Sequence, residues 1–288
     1  MLRVQPSVSK SAPWWLWPTI LSLDAPAVAL AWQDLLARGA GSAATPADRV
    51  VLGSSVWLAY TADRWIEGWR LAPAQIQTHR HRFYQRWRWP LFAGWVLVLA
   101  ADLAVSARGL TRAEFQGGGF LLLLVAAYLL SHQLVHRRLA ARAPKEVCVA
   151  FLLGSGAALF PAVHPGVSPA ALAAPAALFM LLCFANCALI SVWEDDVDRR
   201  HGQTSLALQF RATPALARAL PWALAAGAGA ALALGRPARA TAACAAASAV
   251  LLGLVDLAEG RIGRRAARVL ADAVLLTPLV PLLLGGRP

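Results

Sequence analysis

Acidic residues are scarce in this chain: fifteen Asp and Glu stand against 27 Lys and Arg, so any place where acids gather carries information. Cysteine is also sparse. Cys148, Cys183, Cys187 and Cys244 all lie in apolar stretches and lack the paired spacing of a zinc or redox site, which assigns them to packing. No internal repeat is visible, and this argues against the two equal inverted halves of many transporters. The first apolar stretch follows a long polar start and holds Asp24 and Pro26, with no short apolar core ahead of a small-residue cleavage site. It is expected as a retained helix, not a signal peptide.

What the chain has in abundance is apolar sequence. Hydrophobic residues make up 58% of the 288 positions and gather into long stretches separated by short Arg-rich loops. The bilayer is the solvent such a pattern fits. A spanning helix needs about 20 mainly apolar residues. Nine segments approach that length: 14–36, 50–69, 89–105, 119–135, 146–163, 170–193, 216–234, 238–255 and 266–284. The expected fold class is therefore all-α, a polytopic membrane protein of about nine transmembrane helices in one bundle. The whole of 1–288 is expected to form a single domain, with cap loops near 70–88 and 198–215.

Short basic loops stay on the cytoplasmic side of a membrane. With the N-terminus inside, nineteen of the 27 basic residues fall on the inner side and seven on the outer, while Arg64 lies within the second segment. The expectation is N-in and C-out, in the inner (plasma) membrane of a bacterium. The net charge of +12 then forms a cytoplasmic surface suited to anionic membrane lipids or phosphate groups. Nucleic acid is not an expected partner, because insertion alone requires basic loops of this kind.

Six of the fifteen acids fall in two short runs, Asp63 with Glu67, and Glu194, Asp195, Asp196 and Asp198, at the inner ends of the second and sixth segments. Carboxylates near a membrane need a partner. Tyr60, Asp63 and Glu67 share one helical face, and so do Ser191, Glu194, Asp195 and Asp198, with Asn186 two turns above Glu194. Like charges four residues apart destabilise a helix unless something neutralises them. Mg²⁺ would do so, since it takes hard oxygen ligands, keeps water and completes its shell from substrate phosphates. Nearby arginines would do so too: Arg64 and Arg70 for the first run, Arg199 and Arg200 for the second.

The stretch Glu194-Asp195-Asp196-Val197-Asp198-Arg199-Arg200-His201-Gly202-Gln203-Thr204-Ser205 resembles the second aspartate-rich motif of the UbiA superfamily of intramembrane prenyltransferases. Ala59-Tyr60-Thr61-Ala62-Asp63-Arg64-Trp65-Ile66-Glu67 is similar to the first motif, but Ala59 and Tyr60 stand where the family has Asn and Asp. The resemblance implies a nine-helix bundle that transfers a prenyl group from a prenyl diphosphate to an aromatic or other lipophilic acceptor, with Mg²⁺ as cofactor. It implies metal ligation by Asp63, Glu67, Glu194, Asp195 and Asp198, and catalytic roles for Asp63, Asp198 and Lys145. It implies substrate contacts from Tyr60, Arg64, Arg70, Arg80, Arg82, Arg138, Arg142, Asn186 and Arg199, with the basic loop from Gln75 to Trp89 folding over the site as a cap.

Other readings remain open. A protein of this fold that binds the diphosphate without chemistry is one. His132 and His136, four apart, would face one way as a metal pair. Asp24, Asp102 and Asp272 would form a transport path, or simply bond between helices. Trp57, Trp65, Trp69 and Trp193, near the acidic runs, would offer ring faces to a carbocation or anchor helices at the interface.

Overall fold

In the computed structural model the apolar stretches become helices, and where they break, side chains take up the freed backbone groups. The structure describes residues 12–70, 78–134, 144–201, 204–234 and 239–285. The first segment is a helical pair. A 3₁₀ turn and α1 (Trp17–Ile20) meet α2 (Asp24–Gly39) at a 74° bend. Ser22 sits at the bend with a φ of 58°, a left-handed value that a non-glycine residue rarely takes. Its neighbour's carbonyl, Leu21 O, accepts from Trp57 Nε1 at 3.0 Å, so the break leaves that group satisfied.

The long helix α3 (Pro46–Arg70) starts at a capping box in which Thr45 Oγ1 accepts from Asp48 N at 3.1 Å and Asp48 Oδ2 accepts from Thr45 N at 2.7 Å. Then come the short α4 (His79–Arg86), α5 (Arg88–Gly109), α6 (Arg112–Leu134), α7 (Lys145–Val163) and α8 (Pro169–Trp193). Two short helices, α9 (Asp195–His201) and α10 (Leu206–Gln209), precede α11 (Thr213–Ala233) and α12 (Arg239–Ile262). The last segment is again broken: α13 (Arg264–Ala273), a 3₁₀ turn over Val274–Leu276, and α14 (Leu279–Leu283).

Among the described residues, six helices are long and apolar enough to cross a membrane: α5, α6, α7, α8, α11 and α12, with the bent first pair as a seventh. The other two expected spans, α3 and the last segment, do not meet that standard. Charges along α3 lower its apolarity, and the 3₁₀ turn cuts the last segment short. The carbonyls at that turn are not left bare: Trp32 Nε1 donates to Leu275 O at 2.8 Å and Ser248 Oγ to Val274 O at 2.8 Å.

Trp32 is completely buried and stacks on Phe179 with ring centroids 4.5 Å apart. Around it Ala29, Ala157 and Ala249 are also fully buried, and small residues of this kind let helices of a membrane bundle approach closely. A Cβ on Gly154 would lie 2.2 Å from Met180 Cγ, so the contact of α7 with α8 depends on that glycine. By contrast, α5 and α6 turn leucines outward, Leu97, Leu122 and Leu123 among them, as a lipid-facing surface does. Trp32→Phe keeps the stack and deletes the donor to Leu275. It should lower stability by about 1 kcal/mol, the worth of one internal hydrogen bond, read as a modest drop in melting temperature in detergent. An unchanged melting temperature would show that the turn does not need this donor.

Candidate functional site

The acidic runs of α3 and of the α8–α9 junction lie on either side of Lys145, the first residue of α7. Lys145 Nζ is 3.5 Å from Asp198 Oδ2, and Asp63 and Glu67 also lie within its electrostatic reach. Asp198 is buried. Burial lifts its carboxyl above the usual aspartate range and Glu194 adds to the rise, against the opposing pull of Lys145. Next to Lys145, buried Glu146 accepts from the backbone N–H of Leu206 at 3.1 Å, tying the start of α7 to the chain that follows α9.

The second run is divided by the end of its helix. α8 stops at Trp193, Glu194 caps it with non-helical backbone angles, and α9 starts at Asp195. Glu194 accepts from Arg268 of α13. Burial alone would raise its pKa, but Arg268 and Arg80 overcome that and hold it down to about 2. Asp195 pairs with Arg199 at 3.8 Å. Asp196 accepts from Arg200 at 3.0 Å and from Arg264 at 2.5 Å. Only Glu194 and Asp198, of the four, are brought toward α3 and α7.

Above this cluster lies α4, the helix within the expected cap. Thr78 caps it by accepting from His81 N, and the same hydroxyl contacts His81 Nδ1 at 2.7 Å. His81 Nε2 in turn is 3.3 Å from Glu67 Oε2, which fastens α4 to α3. On its other side Tyr84 Oη and Ser22 Oγ are 2.9 Å apart, which fastens it to the bend of the first segment. So held, α4 puts Arg80 within reach of both Glu194 and Glu67. Burial, with Arg268 and Arg64 adding their charge, pushes the Arg80 guanidinium below the ordinary arginine range, and its Nε has no partner.

The remaining expected contacts are scattered. Arg64 is buried, with its guanidinium 5.8 Å from the centre of the Tyr60 ring. Asn186 is buried deeper and donates to Asp272. Arg82 and Arg199 are exposed. Arg138, Arg142 and His136 lie outside the described residues, as does the side chain of Arg70. His132 packs its ring against Tyr128.

The tryptophans act as fasteners. Trp57 binds the Leu21 carbonyl, Trp193 donates to Asp256 at 3.0 Å, and Trp65 and Trp69 join Trp89 and Phe92 in an aromatic group with α5. Asp102 accepts from Ser54 and Ser55, a bond between α5 and α3. Sequence reasoning did not single out Arg268 or His81. A signal for Arg268 existed, since it stands one turn before Asp272 on the same face of α13.

No group of three or more His, Cys, Asp or Glu side chains gathers as a metal site among the described residues. Mg²⁺ does not need such a cage, because one or two carboxylates with water and phosphate oxygens complete its shell. Asp198 beside Lys145, and Glu67 and Asp63 within that lysine's electrostatic reach, are hard-oxygen donors that, one or two at a time, fit an ion arriving with a phosphate. Glu194, Asp195 and Asp196 already have arginine partners.

Fold and charge together define a polytopic helical integral membrane protein with a cationic and acidic cluster at one end of the bundle. A solved structure shares that fold: the apo structure of a UbiA homolog from Aeropyrum pernix K1 superposes with a TM-score of 0.60 at 18% identity, over 92% of this chain and 98% of the other. No family model matches the sequence, and no curated protein matches it either.

Proposed function

We propose that this protein is a UbiA-type intramembrane prenyltransferase that moves a prenyl group from a prenyl diphosphate to a lipophilic acceptor with the aid of Mg²⁺. The observation that carries the reading is the placement of Lys145 and Arg80 between two acidic runs contributed by α3 and by α8–α9. Ionisation breaks the allylic C–O bond and leaves its electron pair on the diphosphate. Lys145 and Arg80 stand where that growing negative charge would be received, and charge-assisted hydrogen bonds are the strong ones. Asp63, Glu67 and Asp198 would hold Mg²⁺, which when bound neutralises phosphate charge. The apolar bundle beyond them keeps water from the carbocation.

One observation favours a second reading. Arginines already neutralise Glu194, Asp195 and Asp196, and such a cluster is stable with no metal at all. That would suit a homologue that binds the diphosphate and performs no chemistry. Calorimetric titration with a non-hydrolysable prenyl diphosphate analogue, with Mg²⁺ and with a chelator, tests the metal requirement. Binding that ignores Mg²⁺ supports the second reading; binding that needs it meets one requirement of the enzyme, and release of diphosphate from the substrate is the other.

The site end of the bundle is assigned to the cytoplasm, on the strength of the basic loops. In a background with the four native cysteines replaced, Arg86→Cys and Arg211→Cys should be shielded from an impermeant thiol reagent in intact cells. Arg108→Cys should react. The reverse pattern would turn the protein over and place the site outside.

A further inference from the structure

Two turns along α8 from Glu194 lies a group that diphosphate binding does not use. Asp272 accepts from Asn186 Nδ2 at 2.9 Å. A carboxylate only accepts, so the Asn186 amide must turn its nitrogen that way, and its oxygen faces elsewhere. That oxygen has no partner, although Asn186 is 5% exposed. Asp24, the first residue of α2 at the 74° bend, lies against Asp272 within reach of a shared hydrogen bond. Both carboxyls are within electrostatic range of Tyr60, whose hydroxyl makes no hydrogen bond among the described residues.

We infer that Asp24, Asp272 and Asn186, beside Tyr60, form the acceptor subsite, and that it takes a neutral lipophilic acceptor by a hydroxyl or amino hydrogen while rejecting acceptors that carry a carboxylate. The inference rests on the prenyltransferase reading and specifies its second substrate. Its physical basis is a surplus of acceptor atoms. A buried oxygen without a donor costs about 1–3 kcal/mol, and a ligand that brings a donor removes that cost. A carboxylate would instead add a like charge beside two carboxyls in a low dielectric. Arg268 is in range of both aspartates, but Glu194 engages it.

The same geometry gives the acceptor's proton a destination. A bond forms between the acceptor and the prenyl carbon as the bond from that carbon to the diphosphate oxygen breaks. The electron pair leaves on the diphosphate, and the proton displaced from the acceptor passes to the Asp24–Asp272 pair. No other reactant is needed.

The test compares para-hexylphenol with para-hexylbenzoate by calorimetric titration of the full chain in detergent, with the heat of micelles alone subtracted. Wild type should bind the phenol at least about tenfold more tightly than the benzoate. In Asp24→Asn/Asp272→Asn that ratio should fall toward one, because the repulsion is gone. If the double variant does not fold, the wild-type ratio decides alone. A benzoate that binds wild type as well as the phenol would overturn the inference and point to Arg268 as a carboxylate anchor. A ratio that survives in a folded double variant would overturn it as well. Binding of the diphosphate analogue is titrated separately on the same protein, so failure of the donor reading and failure of this subsite give different results.

Discussion

Asp63→Asn and Asp198→Asn should each abolish Mg²⁺-dependent binding of a prenyl diphosphate analogue while the protein stays folded. The amide keeps the shape of the carboxylate and loses the charge that attracts a hard cation. Asp198 is the stronger test because it is buried, whereas the other acids of its run face arginines. A loss of a hundredfold or more, roughly 2.7 kcal/mol, is expected for each in calorimetry with Mg²⁺ present. The double variant should be little worse than either single one, because both positions serve one ligand and such effects do not add. Asp195→Asn should change little, since its partner is Arg199 at the surface. A double variant that still binds in an Mg²⁺-dependent way would remove these carboxylates from the metal site.

Lys145→Met should weaken the same analogue by roughly tenfold to a hundredfold, with Mg²⁺ or with a chelator, because its charge acts on the phosphate directly and a charged hydrogen bond is worth about 1.5–3 kcal/mol. Methionine keeps the unbranched length of the side chain and removes the ammonium. Lys145→Arg should restore most of the affinity. These responses separate the lysine from the aspartates, whose loss should be felt only in the Mg²⁺ arm. If Lys145→Met bound as tightly as wild type, the lysine would be a partner for Asp198 and nothing more.

The helices were legible because long apolar runs leave few alternatives, and the basic loops between them mark where they end. The breaks were less so. The first segment was expected as one helix, but it bends at Ser22, where Trp57 of α3 holds the Leu21 carbonyl and Tyr84 of α4 meets the Ser22 hydroxyl. The turn at Val274–Leu276 depends on Trp32, 243 positions away in the chain, and no local pattern announces such a pair.

The second acidic run shows the limit of periodicity more sharply. Spacing puts Glu194, Asp195 and Asp198 on one face of a continuous helix, yet Glu194 leaves helical backbone angles between α8, which ends at Trp193, and α9, which starts at Asp195. Asp198 turns in and Asp195 does not. Lys145 at the start of α7 could be read from the sequence as a cation near the site, while the pairing of Glu194 with Arg268 spans 74 positions and could not.

The central claim is that this cluster releases diphosphate from a prenyl diphosphate. The direct measurement incubates the purified, detergent-solubilised chain with a prenyl diphosphate labelled in the diphosphate, with Mg²⁺ and a phenolic acceptor, and follows free diphosphate over time. Release that requires Mg²⁺ and is lost in Asp198→Asn is the result the account predicts. Tight binding of the substrate with no release, with or without Mg²⁺, would contradict it and leave a protein that holds the diphosphate without breaking its bond.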